Sequence, residues 1–153
     1  MGISTDIKQE NFKSEFSKVV VNLMYTHNWL NEQENKLFKP FGLTTAQYNV
    51  LRILRGQYPK PATINLLIDR MLDRMSNASR IVDKLMIKDL VARQQNLKDR
   101  RAVDVVITKK GLDMLGKIDV DMEKFEQSIN QFTTQECKDV NAFLDRFRGT
   151  VPD

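Results

Sequence analysis

Arg74-Met75-Ser76-Asn77-Ala78-Ser79-Arg80-Ile81-Val82-Asp83-Lys84-Leu85 is the stretch on which the fold turns. Its apolar residues Ala78, Ile81, Val82 and Leu85 recur at steps of three and four, the signature of a helix with one face toward a core. Ser76, Asn77, Arg80, Asp83 and Lys84 fall largely on the opposite side, with Ser79 at the border. The pattern predicts a helix from about residue 73 or 76 to residue 88. Immediately upstream, Thr63 opens a shorter helix through Leu66, Leu67 and Met71, and Leu72-Asp73 breaks the pattern, so that two short helices abut across a tight turn. Downstream the period changes to two: 91–95 and 103–107 read as strands flanking the polar turn 96–101, a two-stranded hairpin. Helix, turn, helix and hairpin together make a winged helix-turn-helix, a unit whose second helix enters a DNA major groove.

Further out the chain is helical. Residues 11–38 carry an apolar stripe through Phe12, Phe16, Val19, Val20, Leu23 and Leu30, ended by Pro40 and Gly42. Thr44 and Gln47 have the spacing of a capping box for a helix that buries Val50, Leu51, Ile53 and Leu54. Thr108 starts a long helix through Leu112, Leu115, Ile118, Met122, Phe125, Ile129 and Phe132, roughly 37 Å if it runs about 25 residues. A second capping box, Thr133 with Glu136, opens a last helix bearing Val140, Phe143, Leu144 and Phe147. The fold expected is mainly α in a single domain over 1–153, with a winged-helix lobe at about 43–110. Long N- and C-terminal helices lie at about 8–40 and 111–149. They carry more apolar surface than the central lobe can cover, which predicts a symmetric homodimer.

Composition narrows the function classes. With 153 residues, 41% hydrophobic and 29% charged, the chain suits one compact, soluble domain. No run approaches the roughly 18 apolar residues of a membrane span, and the N-terminus lacks the basic-then-apolar pattern of an export signal. Cys137 is the one cysteine, which fits a reducing, cytoplasmic setting. One cysteine and one histidine, His27, cannot build a structural zinc site, so no metal or cofactor is expected. No nucleophile with its base and no glycine-rich phosphate loop is visible, which argues against an enzyme.

The net charge of +4 is concentrated. Residues 69–110 hold eleven Lys/Arg against six Asp/Glu, while the remainder is close to neutral. Such a block suits either a solvated face or a polyanionic partner. The polar face of the second helix favours the latter, since asparagine pairs bidentately with adenine and arginine with guanine, each discriminating by about 1–3 kcal/mol. At the hairpin tip, Arg100 and Arg101 suit the narrow, electronegative minor groove. Asp99 beside them is expected to orient one arginine through a charge-assisted hydrogen bond.

Ser79-Arg80-Ile81-Val82-Asp83-Lys84-Leu85, then Leu90-Val91, then Asp99-Arg100-Arg101-Ala102-Val103, then Ile107-Thr108-Lys109-Lys110-Gly111 resembles the signature of the MarR family of bacterial transcriptional regulators. The resemblance extends over nearly the whole chain, and the aspartate-arginine wing followed by Thr-x-x-Gly is its most specific part. It implies a homodimer built from the first and last helices, bound to double-stranded DNA at a palindromic operator. It also implies repression, often relieved by a small aromatic compound held between the dimerisation and DNA-binding parts. Carried onto this chain, Ser76, Asn77, Ser79 and Arg80 read bases, Lys84 and Thr63 contact phosphates, and Arg100 or Arg101 enters the minor groove. Tyr25, His27, Trp29, Phe38 and Tyr48 lie where relatives form the effector pocket, although core and interface positions account for them more simply. Relatives often have glycine in the turn filled here by Leu72-Asp73, and Met75 adds bulk near the groove. Peroxide-sensing relatives place a reactive cysteine in the first helix, whereas Cys137 is in the last, so a passive, partly buried thiol is expected. The competing reading is a winged-helix module that binds protein rather than DNA.

Overall fold

The computed structural model describes residues 2–150. A short helix α1 (Ile3–Asp6) precedes α2 (Glu15–Phe38), whose first turn is capped by Ser14 accepting from the Ser17 N–H. Neither α1 nor the late start of α2 is visible in the apolar stripe, which runs on without interruption from Phe12. A single 3₁₀ turn, Lys39–Phe41, then ends at Gly42, whose φ of 67° is the left-handed conformation open to glycine at little cost. Helix α3 (Thr45–Gln57) begins with the expected capping box, since both the Thr44 and the Gln47 side chains accept from the other's backbone N–H.

After α3 the chain forms strand β1 (Ala62–Thr63), helix α4 (Ile64–Arg70), helix α5 (Ala78–Ile87), strands β2 (Val91–Gln95) and β3 (Val103–Ile107), and helix α6 (Lys109–Ile129). The hairpin is antiparallel with Val91 opposite Ile107 and Gln95 opposite Val103. The two-stranded hairpin stands as predicted, but the sheet is larger: β1 adds to the free edge of β3, with Ala62 opposite Val105, making three strands in the order β1-β3-β2. Two residues carry no alternation that a sequence pattern could register, and the pairing is set by a partner some forty positions away.

The turn between the two short helices is also longer than expected. Seven residues, 71–77, separate α4 from α5. Met71 is buried, but the segment after it is fastened by side chains rather than coiled into helix. At its other end α5 closes on a Schellman arrangement: Leu90 N–H donates to Leu85 C=O and Asp89 N–H to Met86 C=O, with Asp89 left-handed at φ 58°. Leu85 and Leu90, fully buried, supply the apolar contact that accompanies it.

The chain divides into two compact units, residues 1–119 and 120–153. In the first, α5 packs on α3, α4 and β2. Its core gathers Phe38, Leu51, Leu54, Leu67, Val82, Leu85, Leu90, Val105, Leu115 and Ile118, all essentially solvent-free. Arg55 of α3 grips Asp119 on α6 with two hydrogen bonds of 2.6 and 3.1 Å. The second unit holds the end of α6 and helix α7 (Thr134–Phe147), opened by the predicted Thr133–Glu136 capping box. Nothing in α7 is buried, and Val140, Phe143 and Phe147 are exposed, the last two in ring contact at 6.0 Å. Cys137 is exposed as well, not partly buried, on a helix none of whose residues is buried. Among the described residues no helix is long and apolar enough to cross a membrane, and no cluster of three metal-ligating side chains occurs.

Candidate nucleic-acid interface

The head of α5 is built by side chains that hold backbone groups. Asp73 accepts from the Met75 N–H at 2.9 Å through one carboxylate oxygen and from the Ser76 hydroxyl at 2.6 Å through the other. The Ser76 hydroxyl bond, followed by the Met75 N–H bond, keeps the Asp73 carboxyl below its ordinary range. Leu72 N–H donates to the Asn49 side chain at 3.0 Å, tying this segment to α3. Asn77 is the N-cap, its amide oxygen accepting from the Arg80 N–H at 3.0 Å.

Two of the four expected base readers therefore stand elsewhere than the helical surface. Ser76 precedes α5, half-buried with its hydroxyl bound to Asp73, and Asn77 uses its carbonyl oxygen to start the helix. An Asn three residues before a helical N–H is a cap signal, and it places the start of α5 at Ala78 rather than at 73 or 76. Ser79 and Arg80 do lie exposed on the first turn of α5, and Lys84 follows one turn later on the same face. Among the described residues neither Arg80 nor Lys84 has an ion-pair partner. Thr63 is half-buried in the sheet edge and caps α4, accepting from the Leu66 N–H at 3.1 Å.

Asp83 pairs with Arg93 of β2 at 2.7 Å, joining the exposed side of α5 to the hairpin. At the hairpin tip Asn96 organises the turn, accepting from the Lys98 and Asp99 N–H groups, each at 2.8 Å. Its amide nitrogen donates at 2.9 Å to the buried Asp104 of β3. Asp99 does not bind a guanidinium as expected. Its side chain accepts from the backbone N–H of Arg101 at 2.9 Å, because a carboxylate two residues before an N–H closes a tight local ring without ordering a long side chain. Arg100 and Arg101 are exposed, and among the described residues neither makes an ion pair.

The five residues expected at an effector pocket are not brought together. Phe38 and Tyr48 are core residues, stacked with ring centroids 4.1 Å apart and closed to solvent. Tyr25 and Trp29 border a separate depression near Ile3 and Asp6. His27 alone lines the larger cavity, of about 720 Å³, with Leu30, Glu34, Thr45, Asn49 and Met71 around it. The helical spacing put the aromatics on one segment but not on one face. Burial pushes the Glu34 carboxyl up, against the opposing pull of Arg52 and His27.

A capped, cation-bearing second helix locked to an arginine-tipped hairpin is the local geometry of residues 43–103, and these residues match the model of the MarR family. The chain carries a MarR-family domain. The family is one of transcriptional regulators. The HTH-type transcriptional regulator MhqR of Bacillus subtilis (strain 168) is 26% identical over 130 residues, covering 84% of this chain and 88% of that protein. The fold is shared with the organohalide sensing transcriptional regulator RdhR in its 2,4-dichlorophenol bound form. The TM-score there is 0.77 at 16% identity, over 92% of this chain and 86% of that one. It is shared too with a mutant of S. aureus MepR bound to an oligodeoxyribonucleotide, with a TM-score of 0.57 at 18% identity, over 83% and 94% of the two chains. Beyond the matched residues, the Thr-x-x-Gly of Thr108 to Gly111 has a physical basis here. The Thr108 hydroxyl accepts from the Gly111 N–H at 3.1 Å, and Gly111 sits against Leu90 and Ile107 where a Cβ has no room.

Proposed function

We propose that this chain is a sequence-specific DNA-binding transcriptional regulator that acts as a homodimeric repressor on a palindromic operator. The observation that carries this reading is the pairing of two unneutralised cationic features on one unit. Arg80 and Lys84 on α5 stand free on its exposed side, and the Asp83–Arg93 bridge fastens that helix to the strand leading to Arg100 and Arg101. A second helix in the major groove with a wing arginine in the minor groove uses both. Ser79 and Arg80 then read base edges, with the free amide nitrogen of Asn77 beside them. Lys84 takes phosphate, and Ser76 and Thr63 act chiefly by holding their helices. The oligodeoxyribonucleotide bound by the MepR mutant supports the reading, since that protein has the same fold.

The second copy is recruited by the terminal helices. Phe16, Met24, Tyr25 and Trp29 on α2 are exposed, as are Val140, Phe143 and Phe147 on α7, an apolar load that a partner chain would cover. Two lobes related by a two-fold axis address half-sites about one helical turn, roughly 34–36 Å, apart. A DNA-binding regulator works where the chromosome is, in bacteria the cytoplasm. Relief of repression by a small aromatic compound draws support from the 2,4-dichlorophenol of RdhR and from the cavity beside His27 and Glu34. An occupant there touches Met71, Leu72 and Asp73, the residues that lead into α5.

Selection of bound sequences from random double-stranded DNA tests the reading. An inverted repeat should be enriched. Enrichment of no sequence, with the purified chain monomeric at micromolar concentration, would instead favour a winged-helix module that docks on protein.

A further inference from the structure

The head of α5 leaves an apolar side chain where base-reading groups are expected. Ser76 spends its hydroxyl proton on Asp73, and Asn77 spends its amide oxygen on the Arg80 N–H. Both Asp73 oxygens are occupied in turn. Met75, two residues before the cap, is 94% exposed, although its backbone is pinned by Asp73. Leu72 is exposed too, but it lies at the rim of the cavity beside His27, and its backbone is bound to Asn49 on α3. Met75 has no such assignment. It stands next to a helix end flanked by the free cations Arg80 and Lys84, a surface whose charge suits a polyanion.

In the code a major groove displays, the 5-methyl of thymine is the apolar element; the other coded groups are hydrogen-bond donors or acceptors. A flexible thioether chain fits it without needing a fixed approach angle. We infer that Met75 is a specificity-determining residue that packs on a thymine methyl, beside the base read by Arg80. This rests on the proposed DNA binding and names part of what the half-site contains. It also gives a physical role to a residue that, on the sequence alone, only adds bulk near the groove.

The test begins with the duplex selected by the full chain from random DNA. Each thymine in it is then replaced by uracil, which removes the methyl and leaves base pairing intact. At one thymine in each half-site the replacement should weaken the parent about fourfold, the change expected for uncovering one methyl-sized apolar group. Met75→Ala should bind the thymine and uracil duplexes equally, and because Met75 touches solvent it should fold as the parent does. A parent that tolerates uracil everywhere overturns the inference while leaving DNA binding intact. So does a Met75→Ala variant that still loses fourfold at the same thymine. If no duplex is selected at all, the DNA-binding reading fails and the inference with it.

Discussion

Lys88, the residue that ends α5, donates from its ammonium to the side-chain oxygen of Gln47 at 3.2 Å. The same oxygen accepts from the Thr44 N–H, also at 3.2 Å, and the same ammonium reaches the carbonyl of Gly42. The tail of α5 and the head of α3 thus share one buried acceptor, which sets where α5 ends relative to the scaffold. Gln47→Ala removes half of the capping box and leaves Lys88 one partner short. The expected cost is about 1–3 kcal/mol of unfolding free energy. Chemical denaturation should show a lower midpoint with an unchanged slope; an unmoved midpoint would mean the shared acceptor carries no weight.

The wing turn depends on where Asp99 puts its oxygen, not on its charge. Asp99→Asn keeps an acceptor for the Arg101 N–H, whereas Asp99→Ala does not. If the wing contacts DNA, the alanine variant should bind its duplex roughly fivefold more weakly, about 1 kcal/mol, and the asparagine variant should match the parent. Equal losses in both, measured by fluorescence anisotropy, would point to the carboxylate charge.

Gly111 is a packing requirement. A Cβ built there would lie 2.7 Å from Ile107 Cγ1 and collide with the Leu90 carbonyl oxygen, which is held in place by the Thr108 N–H. Gly111→Ala should destabilise the chain by about 1–3 kcal/mol despite alanine's better helix propensity. Gly116, on the same helix with open space around it, is the control: Gly116→Ala should be neutral or stabilising. Thermal unfolding checks this: the midpoint should fall for Gly111→Ala and should not fall for Gly116→Ala.

Glu34 makes stability depend on pH. Burial raises its folded value above the ordinary 4.5, outweighing Arg52 and His27. The folded chain therefore holds this proton more tightly than the unfolded one. Its contribution is fully present below 4.5 and is lost as pH rises through the folded value. Asp73 and Glu136 work in the opposite sense. Hydrogen bonds from Ser76 and Met75, and from Thr133, hold them below 3.8 and 4.5, so their contributions are present above those values and lost only at lower pH. Glu34→Gln should melt higher than the parent at pH 7, with the gap closing as pH is lowered toward 4.5. A gap independent of pH would contradict the assignment.

What the sequence shows and what it hides follow the range of the interactions. Thr44 with Gln47, and Thr133 with Glu136, are contacts across three residues, and both capping boxes stand as their spacing predicts. The alternation of Val103, Val105 and Ile107 likewise places β3. Strand β1 is two residues long and exists only because β3 arrives beside it, so nothing near Ala62 announces it. The start of α5 is a closer case. Asn77 has the chemistry of a base reader and of an N-cap alike, and its amide oxygen caps the Arg80 N–H while its amide nitrogen is left over. The aromatic residues fail as a pocket for a related reason: Phe38 and Tyr48 find each other in the core, which their positions in sequence do not foretell.

On the proposed function, the free cations of α5 and the wing read a duplex. Anisotropy titration of the selected duplex and a scrambled one, over a series of salt concentrations, tests it with the parent and with Arg80→Ala. The parent should prefer the selected duplex by roughly a thousandfold or more and lose affinity for both as salt rises. Arg80→Ala should lose about 1–3 kcal/mol on the selected duplex and far less on the scrambled one. Equal affinity of the parent for the two duplexes, or binding indifferent to salt, would contradict the account.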